Sequence, residues 1–478
     1  MIEMRKKGIY ALSLVLILTG LLTYLSFTYL TVSSCGAEIG YATLTKSNLP
    51  SMHFNGITKF HLKDDRFPNG LVVSSDGSVW FGEQDVPGLG HLYPNGTIFE
   101  YTWPITYAPS TTSIWGVAEW NNGIWASDAL GNQIVGLDPA TSRVYAVRIN
   151  QPGAFPYTLS VGPDGLLWFT ELYGAKLGRI DTQCSLKEYS LPSTFGGTPT
   201  QIEFTNSTFG YYVDAGNVSS GRGSLLWFNT TQFSPERVQG KFTLTAPSSL
   251  VLVSGGVWVA QHATSNLAYY DLSSHEWSQF PTSPVDYEET TLPYFVAANG
   301  STVWFNEHYA NRLGRIDTAR GLLTEYSLSD PPASNITRID NALTFALGKD
   351  KVWFTELTAN YVGYLDAAYQ PNFTISAPNI SNVKLKPGES VNVTLTVNGE
   401  SSKPLTIQFA DTENYTSRPQ MILMTTNTTE IQPSNSQQTI QVTITAEKTL
   451  PPGNYTLLVT VTDQLINQGA YINLQTTT

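Results

Sequence analysis

Short apolar segments alternate with turn residues along most of the chain, and one unit of this pattern recurs seven times. Each unit has an apolar strand, a turn that often reads Asp-Gly or Asn-Gly, and a second strand with a marker aromatic residue. The marker residues, 43 to 49 positions apart, are Trp80, Trp125, Trp168, Tyr211, Trp258, Trp304 and Trp353. Such a period holds four short strands, which is typical of one propeller blade.

The seventh unit lacks its outer strand, because the chain continues after residue 366 into a segment rich in alanine and proline. A segment with the missing pattern lies at the start of the repeat region, at 57–62. We therefore predict that this N-terminal strand completes the last blade and closes a seven-bladed propeller over 57–369, which removes exposed sheet edges.

From about residue 370 the pattern changes to strands with a period of two, separated by Pro-Gly turns. Tryptophan is absent there, and threonine, asparagine and serine dominate. Such alternation over 370–478 predicts an immunoglobulin-like β-sandwich without a disulfide. The predicted fold class is therefore all-β, with a propeller followed by a sandwich.

The N-terminal segment is a long uncharged stretch without the repeat pattern. Residues 9–31 carry no charge and follow the basic residues Arg5, Lys6 and Lys7. A segment of that length can cross a membrane, and the basic side stays in the cytoplasm. We predict a transmembrane signal anchor within 1–34, a stalk at 35–56 and a single-pass cell-membrane protein with its bulk outside. Cleavage of the segment, or lipid attached to Cys35 in a lipoprotein-like box, are the alternatives.

Composition narrows the classes of partner. The chain has 478 residues with 26 Lys+Arg and 38 Asp+Glu, a net charge of −12, and only 13% charged residues. No basic tract is longer than the three residues at 5–7, so the composition excludes nucleic-acid binding.

The two cysteines, Cys35 and Cys184, either form a disulfide or stay separate. Twelve Asn-x-Ser/Thr sites predict glycosylation: Asn95, Asn206, Asn217, Asn229, Asn299, Asn335, Asn372, Asn379, Asn392, Asn414, Asn427 and Asn454.

The blade sequences GPDGLLWFTE at 162–171 and KLGRID at 176–181 resemble the blade motif of the virginiamycin B lyase, or streptogramin lyase, family. The resemblance extends over about 57–366 and leaves the last domain uncovered. It implies a seven-bladed propeller that opens a cyclic depsipeptide by Mg²⁺-assisted elimination. It also implies a histidine as catalytic base and glutamates of the same face as metal ligands.

Six acidic residues and one glutamine occupy equivalent positions, three residues after each marker aromatic: Glu83, Asp128, Glu171, Asp214, Gln261, Glu307 and Glu356. A ring of carboxylates could hold a Mg²⁺ or Ca²⁺ ion. We predict Glu307, Glu356 and Glu171 as metal ligands. The alternative is that a repeated residue serves the repeat and only hydrogen-bonds within its blade.

Residues that break the symmetry are better candidates for chemistry. His262 and His308 follow this position in blades 5 and 6 and are the predicted acid–base residues. The segments that lead into the inner strands contain no histidine, unlike the lyase family, but they carry Trp115, Tyr157 and Tyr294. Aromatic rings with polar groups suit sugars, peptides or other amphipathic ligands. The alternative roles are loop capping for the histidines and packing for the rings.

Three functions follow from these residues. The leading expectation is a membrane-anchored surface protein whose propeller face binds a glycan, a peptide or another surface protein. The first alternative is a metal-assisted carbon–oxygen lyase of the streptogramin type, with His308 or His262 as base. The second alternative is a lactonase-like hydrolase with a carboxylate-bound divalent ion.

Overall fold

A computed structural model describes the chain at 37–103, 112–206, 208–216, 221–240, 242–285, 290–329, 342–377, 382–412, 421–433 and 437–477. These residues form β-strands and turns, with one 3₁₀ turn at Ser193–Phe195. The N-terminal strands are β1 (Ala37–Tyr41), β2 (Thr43–Asn48), β3 (Ser51–Phe54) and β4 (Ile57–His61). The chain is thus all-β, as predicted.

The described residues of the repeat region build seven antiparallel sheets, named blades 1 to 7, whose strands run in sequence order from the inside outwards. Blade 1 contains β5 (Pro68–Val73), β6 (Val79–Glu83), β7 (Gly88–Leu92) and β8 (Thr97–Thr102). Blade 2 contains β9 (Ile114–Trp120), β10 (Gly123–Asp128), β11 (Gln133–Asp138) and β12 (Arg143–Arg148). Blade 3 contains β13 (Pro156–Val161), β14 (Leu167–Glu171), β15 (Lys176–Ile180) and β16 (Leu186–Ser190).

The second half of the ring continues the same order. Blade 4 contains β17 (Pro199–Phe204), β18 (Phe209–Asp214), β19 (Arg222–Asn229), β20 (Glu236–Arg237) and β21 (Leu244–Thr245). Blade 5 contains β22 (Pro247–Val253), β23 (Gly256–Gln261), β24 (Asn266–Asp271) and β25 (Trp277–Pro281). Blade 6 contains β26 (Pro293–Asn299), β27 (Thr302–Glu307), β28 (Arg312–Asp317) and β29 (Leu322–Ser327), and blade 7 contains β30 (Ala342–Leu347), β31 (Lys351–Glu356) and β32 (Tyr361–Asp366).

The seven sheets close into a ring. Each inner strand contacts the inner strand of the next blade, and β30 of blade 7 contacts β5 of blade 1. The fourth strand of blade 7 is β4, which pairs with β32 from Ile57 opposite Leu365 to His61 opposite Tyr361. Strand β4 therefore closes the ring where the sequence predicted it.

The repeated Phe of the second strand and the repeated Gly of the third strand are one packing unit. A Cβ atom on Gly178 would lie 2.0 Å from Cζ of Phe169, and one on Gly314 would lie 2.1 Å from Cζ of Phe305. The Phe rings are fully buried, so no side chain fits at the glycine. This contact explains the spacing between W-F and L-G-R-I-D in the motif.

The arginine of that motif covers the marker tryptophan. The guanidinium of Arg179 lies 5.4 Å from the ring of Trp168, and that of Arg315 lies 5.7 Å from the ring of Trp304. Such cation–π contacts are favourable near aromatic faces. The Arg side chains of these two blades therefore shield the large rings at the blade surface.

The described part of the predicted stalk, residues 37–56, forms three strands. Its strands β1, β2 and β3 pair with the outer strands of blades 2, 1 and 7 as an additional edge strand on each. Their side chains are mostly exposed, which is typical of an edge strand, and the pairing satisfies backbone groups at three outer edges. Strands β1 to β3 therefore follow the outer edge of the ring across blades 2, 1 and 7, where backbone hydrogen bonds hold them.

The residues after 370 build two further layers, with strands β33 (Phe373–Ser376), β34 (Val383–Leu385), β35 (Ser390–Gly399), β36 (Leu405–Asp411), β37 (Ile422–Thr426), β38 (Glu430–Ile431), β39 (Gln438–Ala446), β40 (Gly453–Thr462) and β41 (Ile466–Thr476). One sheet has the order β33-β35-β39-β37. In the other, β41 pairs with β40 on one side and with β29 of blade 6 on the other. The C-terminal domain therefore continues the blade 6 sheet, and one apolar core joins it to blades 6 and 7.

The predicted localisation at a cell membrane is contradicted. Among the described residues, no helix is long and apolar enough to cross a membrane. The segment 9–31, on which the prediction rested, lies outside the described residues.

Other predictions from the N-terminus and the loops stay predictions. Cys35 lies outside the described residues, so the bridge to Cys184 is not tested. Seven predicted glycosylation sites have an exposed asparagine and Asn229 is half-buried, the exposed ones being Asn95, Asn206, Asn299, Asn372, Asn392, Asn427 and Asn454. The other four, outside the described residues, are Asn217, Asn335, Asn379 and Asn414.

Strand β4, which closes the ring, carries the buried charge of Lys59. Nζ of Lys59 contacts Glu356 and donates to the carbonyl of Leu328 at 2.8 Å, and both charged side chains are almost fully buried. We expect Lys59→Met to lower the free energy of unfolding by about 3–5 kcal/mol, because it leaves the Glu356 carboxylate without its cation. Chemical denaturation measures this. The control is Lys46→Met on the exposed strand β2, and equal effects of both variants would contradict the assigned role of Lys59.

Candidate functional site

The start of each inner strand and the end of each second strand meet on one face of the ring, here called the upper face. Pro247 lies opposite Gln261 in blade 5, and Pro293 lies opposite Glu307 in blade 6. The predicted histidines follow the second strands, and the predicted aromatic residues lie at the starts of the inner strands. All five are therefore on the same face.

Side chains of the second strands fix the inner strands on this face. The hydroxyl of Thr170 accepts from the backbone N–H of Thr158 at 3.2 Å and donates to the carbonyl of Thr200 in the next blade at 3.2 Å. Ser127 bridges blades 2 and 3 in the same manner, and Asn306 bridges blades 6 and 7. The upper face is thus held by bonds within and between blades.

The two histidines are brought together. Nε2 of His262 lies 3.3 Å from Nδ1 of His308, and the ring centroids are 4.7 Å apart. Their backbone N–H groups donate to the carbonyls of Ala246 and Leu292, both at 3.1 Å. These two acceptors have positive φ angles of 44° and 56° directly before a proline, a strained conformation that the histidine backbones help to hold.

The histidine position is asymmetric around the ring. Its equivalents in the other blades are the residues that follow the acidic position: Gln84, Ala129, Leu172, Ala215 and Leu357. Only blades 5 and 6 carry an imidazole there, and the two blades are neighbours. The pair is therefore a local departure from the repeat.

Tyr294 packs against both histidines, and Tyr157 and Trp115 extend the cluster from it. The ring centroid of Tyr294 lies 5.0 Å from that of His262 and 5.5 Å from that of His308. The hydroxyls of Tyr294 and Tyr157 are in hydrogen-bond contact, and the ring of Trp115 lies 5.1 Å from that of Tyr157. The structure thus places Trp115, Tyr157 and Tyr294 in one cluster with the histidines.

The cluster keeps both imidazoles neutral. Burial lowers the pKa of His262 to about 4, and burial together with the neighbouring His262 lowers the pKa of His308 well below its usual value. Both side chains are half-buried, so each retains some exposed surface. A neutral imidazole with an accessible nitrogen can accept a proton at physiological pH.

The acidic residues have a different role from the histidines. In blades 2, 4 and 5 the side chain at the repeated position bonds to the loop that leads into the inner strand of the same blade. Asp214 accepts from the backbone N–H groups of Gly197 and Thr198 at 2.9 and 3.1 Å, and Asp128 accepts from that of Ser113 at 3.3 Å. Gln261 accepts from the N–H of Thr245 at 3.2 Å. The repeated position therefore anchors the loops of the upper face.

In blades 1, 3 and 6 the repeated glutamate faces a second acid of the outer strand. Burial, strengthened by the outer-strand glutamate, raises the pKa of Glu83, Glu171 and Glu307 to about 8 each. The outer partners are Glu100, Glu188 and Glu325, and the nearby cations that partly offset the shift are Arg66, Lys176 and Arg312. At neutral pH these buried glutamates hold their protons.

The predicted metal ligands are not brought together. Glu171, Glu307 and Glu356 belong to blades 3, 6 and 7, and Glu356 is engaged by Lys59 and by Nδ2 of Asn311 at 2.8 Å. Among the described residues, no three His, Cys, Asp or Glu side chains lie close enough to hold a metal ion. The assignment of these three glutamates as metal ligands therefore stays a prediction.

Sequence reasoning missed a residue from the C-terminal domain. Nδ2 of Asn467 on β41 donates to Oε2 of Glu325 at 2.7 Å, and both residues are buried. Nη1 of Arg312 lies 3.7 Å from Glu325 and 3.9 Å from Glu307, which directly precedes His308. No sequence signal links position 467 to blade 6, because the contact depends on the pairing of β41 with β29.

Comparisons with known proteins agree with the fold. The profile of the Virginiamycin B lyase family matches residues 31–224. A virginiamycin B lyase of Nocardia farcinica is 29% identical over 126 residues, which are 26% of this chain and 42% of that protein. The chain thus matches less than half the length of this relative.

Solved structures of the same kind cover the whole ring. The virginiamycin B lyase of Staphylococcus aureus matches with a TM-score of 0.54 and 19% identity, over 68% of this chain and 99% of that one. A catalytically inactive histidine-to-alanine form of that enzyme with quinupristin matches with a TM-score of 0.54 and 20% identity, over 65% and 98%. The resemblance predicted from the blade motif is confirmed, and at these identities the solved structures support the fold.

The buried glutamates make stability depend on pH. Their folded pKa values near 8 lie above the usual value of about 4.3, so the folded state binds these protons more tightly. Their contribution to the free energy of unfolding is fully present below about pH 4 and is lost as pH rises towards 8. Each glutamate loses about 1.4 kcal/mol of this contribution per pH unit. We expect Tm to be higher at pH 5 than at pH 8. Glu171→Gln should reduce this difference and the exposed control Glu236→Gln should not, so equal slopes would contradict the role of Glu171.

The hydrogen bond from Asn467 to Glu325 can be tested by chemical denaturation. We expect Asn467→Ala to cost about 1–3 kcal/mol of unfolding free energy, because it removes the donor to a buried carboxylate. Gln475→Ala, an exposed position on the same strand, is the matched control. A variant of Asn467 that unfolds at the same denaturant concentration as the control would show that the bond contributes nothing.

Proposed function

We propose that the chain is a carbon–oxygen lyase that opens an ester bond on its upper face, with the His262–His308 pair supplying the base. The observation that carries the proposal is this neutral imidazole pair, with the ring nitrogens 3.3 Å apart and both rings in contact with Tyr294. The likeness to virginiamycin B lyases supports the reaction class at the level of the family. In the solved lyase that binds quinupristin, a histidine-to-alanine change accompanies the loss of activity.

The chemistry follows from the pair. One neutral imidazole removes a proton from the carbon next to a carbonyl group, and the released electron pair forms a carbon–carbon double bond. The ester C–O bond on the neighbouring carbon then breaks, and the leaving group departs as a carboxylate. The second imidazole stabilises the new imidazolium through the bond between Nε2 of His262 and Nδ1 of His308. Proximity of base and substrate supplies much of the rate.

The aromatic cluster would bind the substrate. Trp115 is half-buried and offers part of its surface, while Tyr157 and Tyr294 are almost fully buried beneath it. Rings of this kind favour an amphipathic ring-shaped ligand such as a depsipeptide. The hydroxyls of the tyrosines keep their protons, because burial raises the pKa of Tyr294 to about 12 and raises the pKa of Tyr157 well above its usual value. They can therefore donate to a carbonyl oxygen.

A Mg²⁺ or Ca²⁺ ion stays a prediction from the family resemblance. The glutamates predicted to hold it, Glu171, Glu307 and Glu356, lie in three separate blades and do not form one site among the described residues. We derive no step through a metal. The lactonase-like hydrolase, which needs a carboxylate-bound ion, gains no support from the described residues.

A second candidate is ligand binding without turnover by the same upper face. It is favoured by the absence of histidine from the segments that lead into the inner strands, where the aromatic residues lie instead. The C-terminal domain, which we propose to be immunoglobulin-like from its two packed sheets, suits such a binding protein. Turnover separates the two candidates.

The test is incubation of the full-length chain with quinupristin, with and without Mg²⁺, followed by chromatography and mass spectrometry. We expect a linear product of unchanged mass with a new double bond. His262→Ala and His308→Ala should each reduce the rate by about 100-fold or more, while the exposed control His275→Ala should not. Because the base acts in its neutral form, the rate should stay constant from pH 5 to 8 and fall as pH drops through about 4.

Three other results of this incubation would contradict the lyase proposal. An intact ring that binds saturably, with binding lost in Tyr294→Ala, would support the second candidate over the lyase. Turnover that survives in both histidine variants would contradict the assigned base. An intact ring without binding would overturn both candidates for this substrate.

A further inference from the structure

A groove runs along the outer side of blades 4 and 5 to the C-terminal domain, away from the upper-face cluster. It consists of two adjoining cavities of about 350 and 970 Å³, which share Phe242 and Trp277 in their lining. The smaller cavity lies on blade 4. The larger one lies between blade 5, the turn after β28 and strands β40 and β41 of the C-terminal domain. We call this depression the rim groove.

The charge of the rim groove is opposite to that of the chain. Its lining contains four exposed cations, namely Arg222, Arg237, Arg320 and Lys384, and one acidic residue, Glu276. The whole chain has 26 Lys+Arg against 38 Asp+Glu, with a net charge of −12. Some of the cations also interact with acids outside the lining: Arg320 lies 3.6 Å from Asp317, and the charge of Arg237 acts on the carboxyl group of Asp214. A positive groove on an acidic protein attracts anions selectively.

Aromatic rings lie between the cations. The ring centroids of Phe242 and Trp277 are 5.3 Å apart, and Trp277 lies 4.9 Å from Tyr270 of blade 5. At the other end, the guanidinium of Arg237 lies 5.7 Å from the ring of Phe195. The rings of Phe195, Phe242 and Trp277 are half-buried, so packing fixes them while part of each surface stays accessible. Fixed rings are suitable for stacking against the apolar faces of sugars.

Amide side chains complete the lining on the C-terminal domain. Asn473 and Gln475 are exposed and project from β41 into the lining. Asn473 and Gln475 are two positions apart on one strand, so they lie on the same side about 6.6–7 Å from each other. Amides both donate and accept hydrogen bonds, as recognition of hydroxyl groups requires.

We propose that the rim groove binds an acidic polysaccharide, with carboxylate or sulfate groups on the cations and sugar rings on Phe242, Trp277 and Phe195. An acidic peptide is less suited. The exposed lining residues are polar, charged or glycine, apart from Ala319, so no open apolar pocket anchors a peptide side chain. This function is independent of any reaction on the upper face.

The test is calorimetric titration of the full-length chain with defined probes. These are a hexamer of polygalacturonate, a dextran sulfate oligomer, a neutral galactan oligomer and poly-L-glutamate of similar length. We expect binding of at least one of the two acidic oligosaccharides, with an affinity at least tenfold lower in 500 mM than in 50 mM salt. The choice between them identifies carboxylate or sulfate. The neutral oligomer should not bind measurably.

Variants localise the site. Arg222→Glu with Arg237→Glu should weaken binding of the acidic oligosaccharide at least tenfold. The matched control, Arg143→Glu with Lys187→Glu, changes the net charge equally at exposed positions outside the groove and should have less than a twofold effect. Trp277→Phe, which keeps a ring of smaller area, should weaken binding about threefold without changing Tm by more than the control does.

Three results would overturn the proposal. Equal weakening by the control pair would show attraction to charge anywhere on the surface. Tighter binding of poly-L-glutamate than of both acidic oligosaccharides would identify an acidic protein partner. Absence of binding to either acidic oligosaccharide at 50 mM salt would exclude the ligand class.

Discussion

The structure depends on a buried polar side chain at the end of each second strand. In blades 1, 2, 4, 5 and 6 this side chain contacts the loop that leads into the inner strand of the same blade. The loop, the inner strand and the second strand are thereby fixed together at one face of the ring. The residue that follows the anchor is then held at a constant place in each blade, where an imidazole in two of them creates the candidate site.

Symmetry separates the residues that serve the fold from those that serve chemistry. The buried polar side chain recurs in all seven blades, and in five of them it contacts the loop that leads into the inner strand. The histidines occur in two neighbouring blades only, where their rings contact each other and Tyr294. A structural need of the repeat would be met in all seven blades, so the local exception requires another explanation, and a shared ligand provides one.

The sequence predicted the seven units and the closing strand because period and aromatic markers are local signals. It did not decide between a metal ring and loop anchors for the acidic position, because the direction of a carboxyl group depends on its neighbours in three dimensions. Strands β1 to β3 escaped prediction because edge strands such as Thr43–Asn48 are polar and short. The asymmetry of His262 and His308 was visible in the sequence, but their contact required the packing of two blades.

The pairing of β41 with β29 connects the C-terminal domain to the candidate site. A chain of contacts passes from Asn467 through Glu325 and Arg312 to Glu307, the residue before His308. Each member is at least largely buried, so the loss of one partner leaves a charged or polar group unsatisfied in a low dielectric. The C-terminal domain therefore supports the blade that carries His308. The lyase structures match about two thirds of this chain and nearly all of their own length.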